Sequence, residues 1–146
     1  MSNHKVCPVV LRAGIDGIEA LAHLSPDMGC RYVVGDPRDG EAATATARRL
    51  LKEASGIAWA GPLTTLGALP IGDAPQIWDV FLIIGSALPE TWTYSPQGGS
   101  RSVGFFWQPL SADLSDQWQG DFHDLHAVLR ACQSDFAALI DGRARS

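Results

Sequence analysis

Gly35-Asp36-Pro37-Arg38-Asp39-Gly40-Glu41-Ala42-Ala43-Thr44-Ala45-Thr46-Ala47-Arg48-Arg49-Leu50-Leu51-Lys52-Glu53-Ala54-Ser55-Gly56-Ile57 is the stretch that decides how this chain folds. It opens with a loop bounded by Gly35 and Gly40. It continues as an alanine-rich run, Glu41 to Ser55, with neither Pro nor Gly inside. Alanine, leucine, lysine and glutamate all favour a helix, and Gly56 stands where a helix-ending glycine belongs. The spacing predicts a loop leading into a helix over 41–55. Five residues separate Gly35 from Glu41, and seven separate Glu41 from Arg49.

Upstream, Val6 to Leu11 is a β-rich run followed by turn residues Gly14 to Gly17, and Ile18 to Leu24 alternates loosely. The first 24 residues therefore read as a hairpin, with Pro8 suggesting an edge position or a strand start. A short strand is expected at Arg31 to Val34. Downstream, Ile57 to Leu69 and Gln76 to Ser86 read as strands divided by Pro70 to Pro75. The nearly unbroken apolar run Ile77 to Ile84 suits a strand buried on both faces. Leu88 to Arg101 reads as a loop, Ser102 to Leu110 as an aromatic-rich strand, and Phe122 to Ile140 as one long helix with a broad apolar stripe. No repeat, linker or low-complexity tract interrupts the 146 residues, so one domain over 1–146 with an α/β fold is expected.

The segment at 35–57 resembles the Nudix box, G-x5-E-x7-R-E-U-x-E-E-x-G-U with U a bulky aliphatic. Gly35, Glu41, Arg49, Leu51, Glu53, Gly56 and Ile57 match it, whereas Leu50 and Ala54 stand where the family carries glutamates. The resemblance implies an α/β/α sandwich around a mixed sheet. It also implies hydrolysis of a pyrophosphate linkage in nucleoside diphosphate-linked compounds, with Mg²⁺ neutralising the charge that develops. In the family the three glutamates share one helical face, one cast as general base and two as metal ligands, with Glu41 and Arg49 bracing them. Only Glu53 of those three is present here. Leucine and alanine cannot take a proton or bind a cation, and losing a general base costs about 10² to 10⁴ in rate. A single carboxylate is also a poor magnesium site.

Glu53, Arg49 and Glu41 are thus the candidate catalytic residues, Glu53 the candidate metal ligand, and Gly35 the candidate for close approach of ligand to backbone. The alternative for the three charged residues is mutual pairing on a solvated helix face. Asp116 or Asp121 could supply an acid from outside the box, or serve as ordinary turn and cap residues. His123 and His126 have a spacing seen in some metal sites, but lack a third ligand and fit a solvated helix turn. Trp92 and Tyr94, in the expected long loop, could stack on a base, form a subunit contact or anchor the loop.

The formal charge of −5 offers no footprint for a nucleic-acid backbone. Cys7, Cys30 and Cys132 form no C-x-x-C pair and suit reduced, packed thiols. Nothing near the N-terminus has the length of a signal or membrane anchor, so a soluble cytoplasmic protein is expected. Three functions follow: a weak or inactive Mg²⁺-dependent pyrophosphohydrolase, a non-catalytic module for a nucleotide-like or phosphate-bearing ligand, or a scaffold. The aromatic strands and the segment around Trp92 suggest a homodimer.

Overall fold

The computed structural model describes residues 4–15, 17–25, 29–72, 76–85, 88–95 and 102–145. Their elements are β1 (His4–Gly14), β2 (Gly17–Ser25), β3 (Gly29–Arg31), α1 (Ala43–Ser55), β4 (Thr64–Ile71), β5 (Gln76–Ile84), β6 (Trp92–Tyr94), β7 (Val103–Pro109), α2 (Gly120–Ala131) and α3 (Gln133–Arg145). The strands form a seven-stranded mixed sheet in the order β4-β5-β1-β2-β7-β6, with β3 also paired to β2. Among the described strand pairs only β1 and β5 run parallel, from His4 opposite Ile77 to Leu11 opposite Ile84. Successive side chains of β1 point to opposite faces. Cys7, Val9 and Leu11 pack with Phe122, Leu125, Leu129 and Phe136 of α2 and α3. Val6 and Val10 pack on the other side with Ala47 and Leu51 of α1. Helices on both faces of a mixed sheet make the expected α/β/α sandwich. None of its helices, among the described residues, is long and apolar enough to cross a membrane.

Several boundaries differ from the sequence expectation. Pro8 lies in a central strand, not at an edge. The backbone of Val6 faces Gly35, bonding through both its N–H and its carbonyl. Pro8, two residues on, faces the same way, into the interval before β1 begins to pair with β2 at Leu11. No ladder donor is required there. The strand expected at Arg31–Val34 is instead Gly29–Arg31; Tyr32 is buried because it packs against Trp118 and Phe122. The strand expected from Ile57 begins only at Thr64. Ile57, Trp59 and Leu63 are apolar because they cover the α1 side of the sheet, and Arg48 pins that segment by donating to the carbonyls of Trp59 and Gly61 at 3.2 and 2.8 Å.

The helix expected from Phe122 to Ile140 is two helices that part at Cys132, whose N–H is shared between the Val128 and Leu129 carbonyls. The expected loop after Leu88 carries the short strand β6. Asp16, the end of the turn at Asp73–Pro75, Ser86 and the glycines of the loop around Gly98 lie outside the described residues.

Candidate functional site

α1 starts at Ala43, two residues later than expected, and closes on Gly56 in the left-handed conformation (φ 81°), whose N–H bonds the Lys52 carbonyl. The box loop is tied to the sheet by the Val6–Gly35 pair, N···O 2.9 and 3.1 Å. The loop and the helix are therefore both seated against the central strand β1.

Glu41, Arg49 and Glu53 come together as the sequence suggested, with Arg49 at the centre. Its Nε and Nη2 donate to the two oxygens of Glu41, each at 2.9 Å, and its Nη1 donates to Glu53 Oε1 at 2.9 Å. Nη2 also reaches the Asp36 carbonyl at 2.9 Å. Glu41 accepts further bonds from the Arg38 N–H and the Thr46 hydroxyl. Arg49, then the Arg38 N–H and Thr46, hold its carboxyl down at about 2. Bonding to Glu41, opposed in part by burial, raises Arg49 in turn. Glu53 is about half exposed, and its second oxygen accepts from Arg38 Nη2 at 3.3 Å. Both carboxylates are thus committed to arginines.

The two missing glutamates leave different surroundings. Ala54 is partly exposed. Leu50 packs with the apolar cluster of Val6, Ala47 and Phe81 and leans over Gly35. A methyl group on Gly35 would lie 2.6 Å from Leu50 Cδ2. The group that closely approaches Gly35 is the chain's own leucine.

These donors do not fit a magnesium ion. A hard cation needs several oxygens with room for its waters. Position 50 is filled by a hydrocarbon, position 54 has no donor, and the oxygens of Glu41 and Glu53 already face guanidinium groups. Among the described residues no group of three or more His, Cys, Asp or Glu is arranged to hold a metal.

Asp116 is exposed in the segment before α2, and Asp121 reaches a cavity beside Gly35. His126 is buried, not solvated: its Nδ1 accepts from the Tyr32 hydroxyl at 2.9 Å, and its Nε2–H donates to the Ala112 carbonyl at 2.8 Å. His123 instead meets the Trp118 carbonyl. The two imidazoles serve different backbone neighbours. Trp92 stacks on Phe105 with centroids 5.0 Å apart, and the Tyr94 ring covers Gly56, so both aromatics lie against the α1 side of the sheet.

The cavity beside Gly35, about 150 Å³, is walled by Lys5, Arg31, Gln76, Trp78, Gln119 and Phe122. Lys5 Nζ also bonds Asp36 Oδ1 at 2.7 Å, linking the cavity to the box loop. The Arg31 guanidinium lies 5.5 Å from the Phe122 ring centre. Sequence reading overlooked Lys5, Arg31 and Arg38. Arg38 could have been noticed as the one cation within the box loop, while the other two are brought there only by strand pairing.

No protein-family model matches the sequence, and no curated protein matches it significantly. Solved structures do resemble the fold. The Nudix domain of Shewanella oneidensis NrtR, complexed with ADP ribose, superposes with a TM-score of 0.65 over 90% of this chain and 86% of that one, at 14% identity. The Bacillus subtilis pyrophosphohydrolase BsRppH gives 0.64 over 93% and 83%, at 15% identity. The C. elegans Ap4A hydrolase gives 0.58 over 96% and 99%, at 17% identity. The chain has the Nudix fold.

Proposed function

We propose that this chain is a Nudix-family protein with little or no Mg²⁺-dependent pyrophosphohydrolase activity, which retains a site for a nucleotide-like, phosphate-bearing ligand. The observation that carries this reading is the double grip of Arg49 on Glu41 and Glu53 beside a Leu50 that covers Gly35. A general base must be able to accept a proton from water, and a metal ligand must present free lone pairs. The box carboxylates are turned to neither task. The cavity beside Gly35 supports the binding half of the proposal. Its two cations, Lys5 and Arg31, outnumber its one carboxylate, Asp121, and suit phosphate. The ADP ribose held by the NrtR Nudix domain is a ligand of that class.

The test is a screen of ADP-ribose, nucleoside diphosphate sugars and dinucleoside polyphosphates with Mg²⁺ and Mn²⁺, following product release and thermal shift together. A shift without turnover supports the proposal. Turnover at rates ordinary for hydrolases refutes it and restores the enzyme reading. Neither shift nor turnover leaves the scaffold.

A further inference from the structure

We infer that the phosphate groups of the ligand are held by the chain's own cations, chiefly Lys5 and Arg38, with no divalent ion between them. The inference rests on the ligand-binding reading above and names how that site recognises its ligand.

A helix face carrying three glutamates repels a diphosphate, and only an intervening cation can join the two. This face carries one glutamate, and that glutamate is matched by arginine. The linked set of Lys5, Arg38 and Arg49 with Asp36, Glu41 and Glu53 is balanced in formal charge. Loss of the acids at 50 and 54 therefore removes the ion's ligands and, with them, the repulsion that made the ion necessary.

Two members of the set can change partner at small cost. Arg38 is 67% exposed and holds Glu53 through one long contact of 3.3 Å. Lys5, 27% exposed, is bound to an Asp36 that is 64% exposed and can turn to solvent. An exposed pair such as Arg38–Glu53 contributes about 0–1 kcal/mol. A diphosphate, with more charge and more acceptor oxygens than a carboxylate, competes well for both cations. Arg49 is different. It makes four hydrogen bonds and is mostly buried, so it stays with Glu41 as a positioning residue that fixes the loop. Lys5 joins the two halves of the site, since it lines the cavity beside Gly35 and also bonds Asp36 of the box loop. A phosphate that reaches the Lys5 amine from either side therefore lies where the cavity meets the start of the box loop.

The experiment is calorimetric titration of the full chain with ADP and with inorganic pyrophosphate, in EDTA and in 'millimolar' Mg²⁺. Adenosine serves as the phosphate-free control. ADP is expected to bind in EDTA, more tightly than adenosine, and to gain no affinity from magnesium. Arg38→Ala and Lys5→Ala should each weaken ADP by roughly tenfold, as expected for loss of a charge-assisted contact. They should leave adenosine and the melting temperature nearly unchanged. ADP that binds only with magnesium overturns the inference and leaves the ligand reading standing. Equal affinity of the wild type and both variants for ADP overturns it as well. If ADP, pyrophosphate and adenosine fail to bind in either buffer, the inference and the ligand reading fall together.

Discussion

Leu50 occupies the space above the Gly35 α-carbon so fully that a single added methyl there would meet its Cδ2 at 2.6 Å. Gly35 is not in the left-handed region, so its lack of a side chain serves packing and not an unusual backbone angle. The two positions should be energetically coupled. Gly35→Ala is expected to destabilise the wild type by about 1–3 kcal/mol through overpacking. In a Leu50→Ala background the same change should cost less, with a coupling of at least about 0.5 kcal/mol by urea denaturation. Additive effects would show that Leu50 moves aside freely.

Restoring the box should be costly at one position and harmless at the other. Leu50→Glu places a carboxylate in a partly buried apolar cluster and should cost about 1–3 kcal/mol. Ala54→Glu, partly exposed, should stay within about 0.5 kcal/mol. Millimolar magnesium is not expected to return the stability lost by the double variant. Recovery in a melting experiment would show that Glu53 leaves its arginines for a metal.

Arg49 and Arg38 offer a contrast within one cluster. Arg49→Lys keeps the charge but loses the fork that spans both oxygens of Glu41, and should destabilise by about 1–2 kcal/mol. Arg38→Ala removes one exposed contact and should change stability by less than about 0.5 kcal/mol. Chemical denaturation of the two variants side by side settles the ranking.

Acid should weaken the fold in two windows. Burial lowers His126, and burial with the charge of Arg31 lowers His23 to about 4 from 6.5. Both resist protonation in the folded chain, so the unfolded chain binds more protons below pH 6.5; stability present above pH 6.5 falls as pH drops, for His23 down to about 4. His23 alone should remove roughly 3 kcal/mol across that interval. Glu41, depressed to about 2 from 4.5, contributes stability that is intact above 4.5 and lost as pH falls toward 2. Urea midpoints between pH 8 and 4 should fall for the wild type and flatten in His23→Gln. A flat wild-type profile would contradict the burial of these rings.

The box and the sandwich were legible because both rest on spacing. Gly35, Glu41, Arg49 and Glu53 sit at fixed separations, and the apolar run of β5 requires burial on both faces. The break at Cys132 was hidden because the apolar stripe continues from Leu129 to Phe136 with no Pro or Gly between them. The late start of β4 was hidden because Ile57, Trp59 and Leu63 are apolar in order to cover the sheet, which a pattern reader takes for a strand. His126 read as solvated because its partner, Tyr32, is 94 residues distant. The cavity cations were missed for a similar reason: Lys5 belongs to the first strand and Arg31 to the third, and only the register of the sheet sets them around Gly35.

The Val6–Gly35 pairing also fixes when the site can form. Gly35 is bonded to a strand whose other edge waits for β5, with pairs such as His4–Ile77 separated by about seventy residues, a long-range closure of the kind that slows folding. During synthesis the box loop and α1 leave the ribosome before the strand that completes their support. Until Ile84 has followed, the apolar residues from Val6 to Leu11 have only half their neighbours. The nascent chain is therefore most exposed to misassembly in that interval, and the arrival of β5 decides whether the box loop and α1 are ever fully supported.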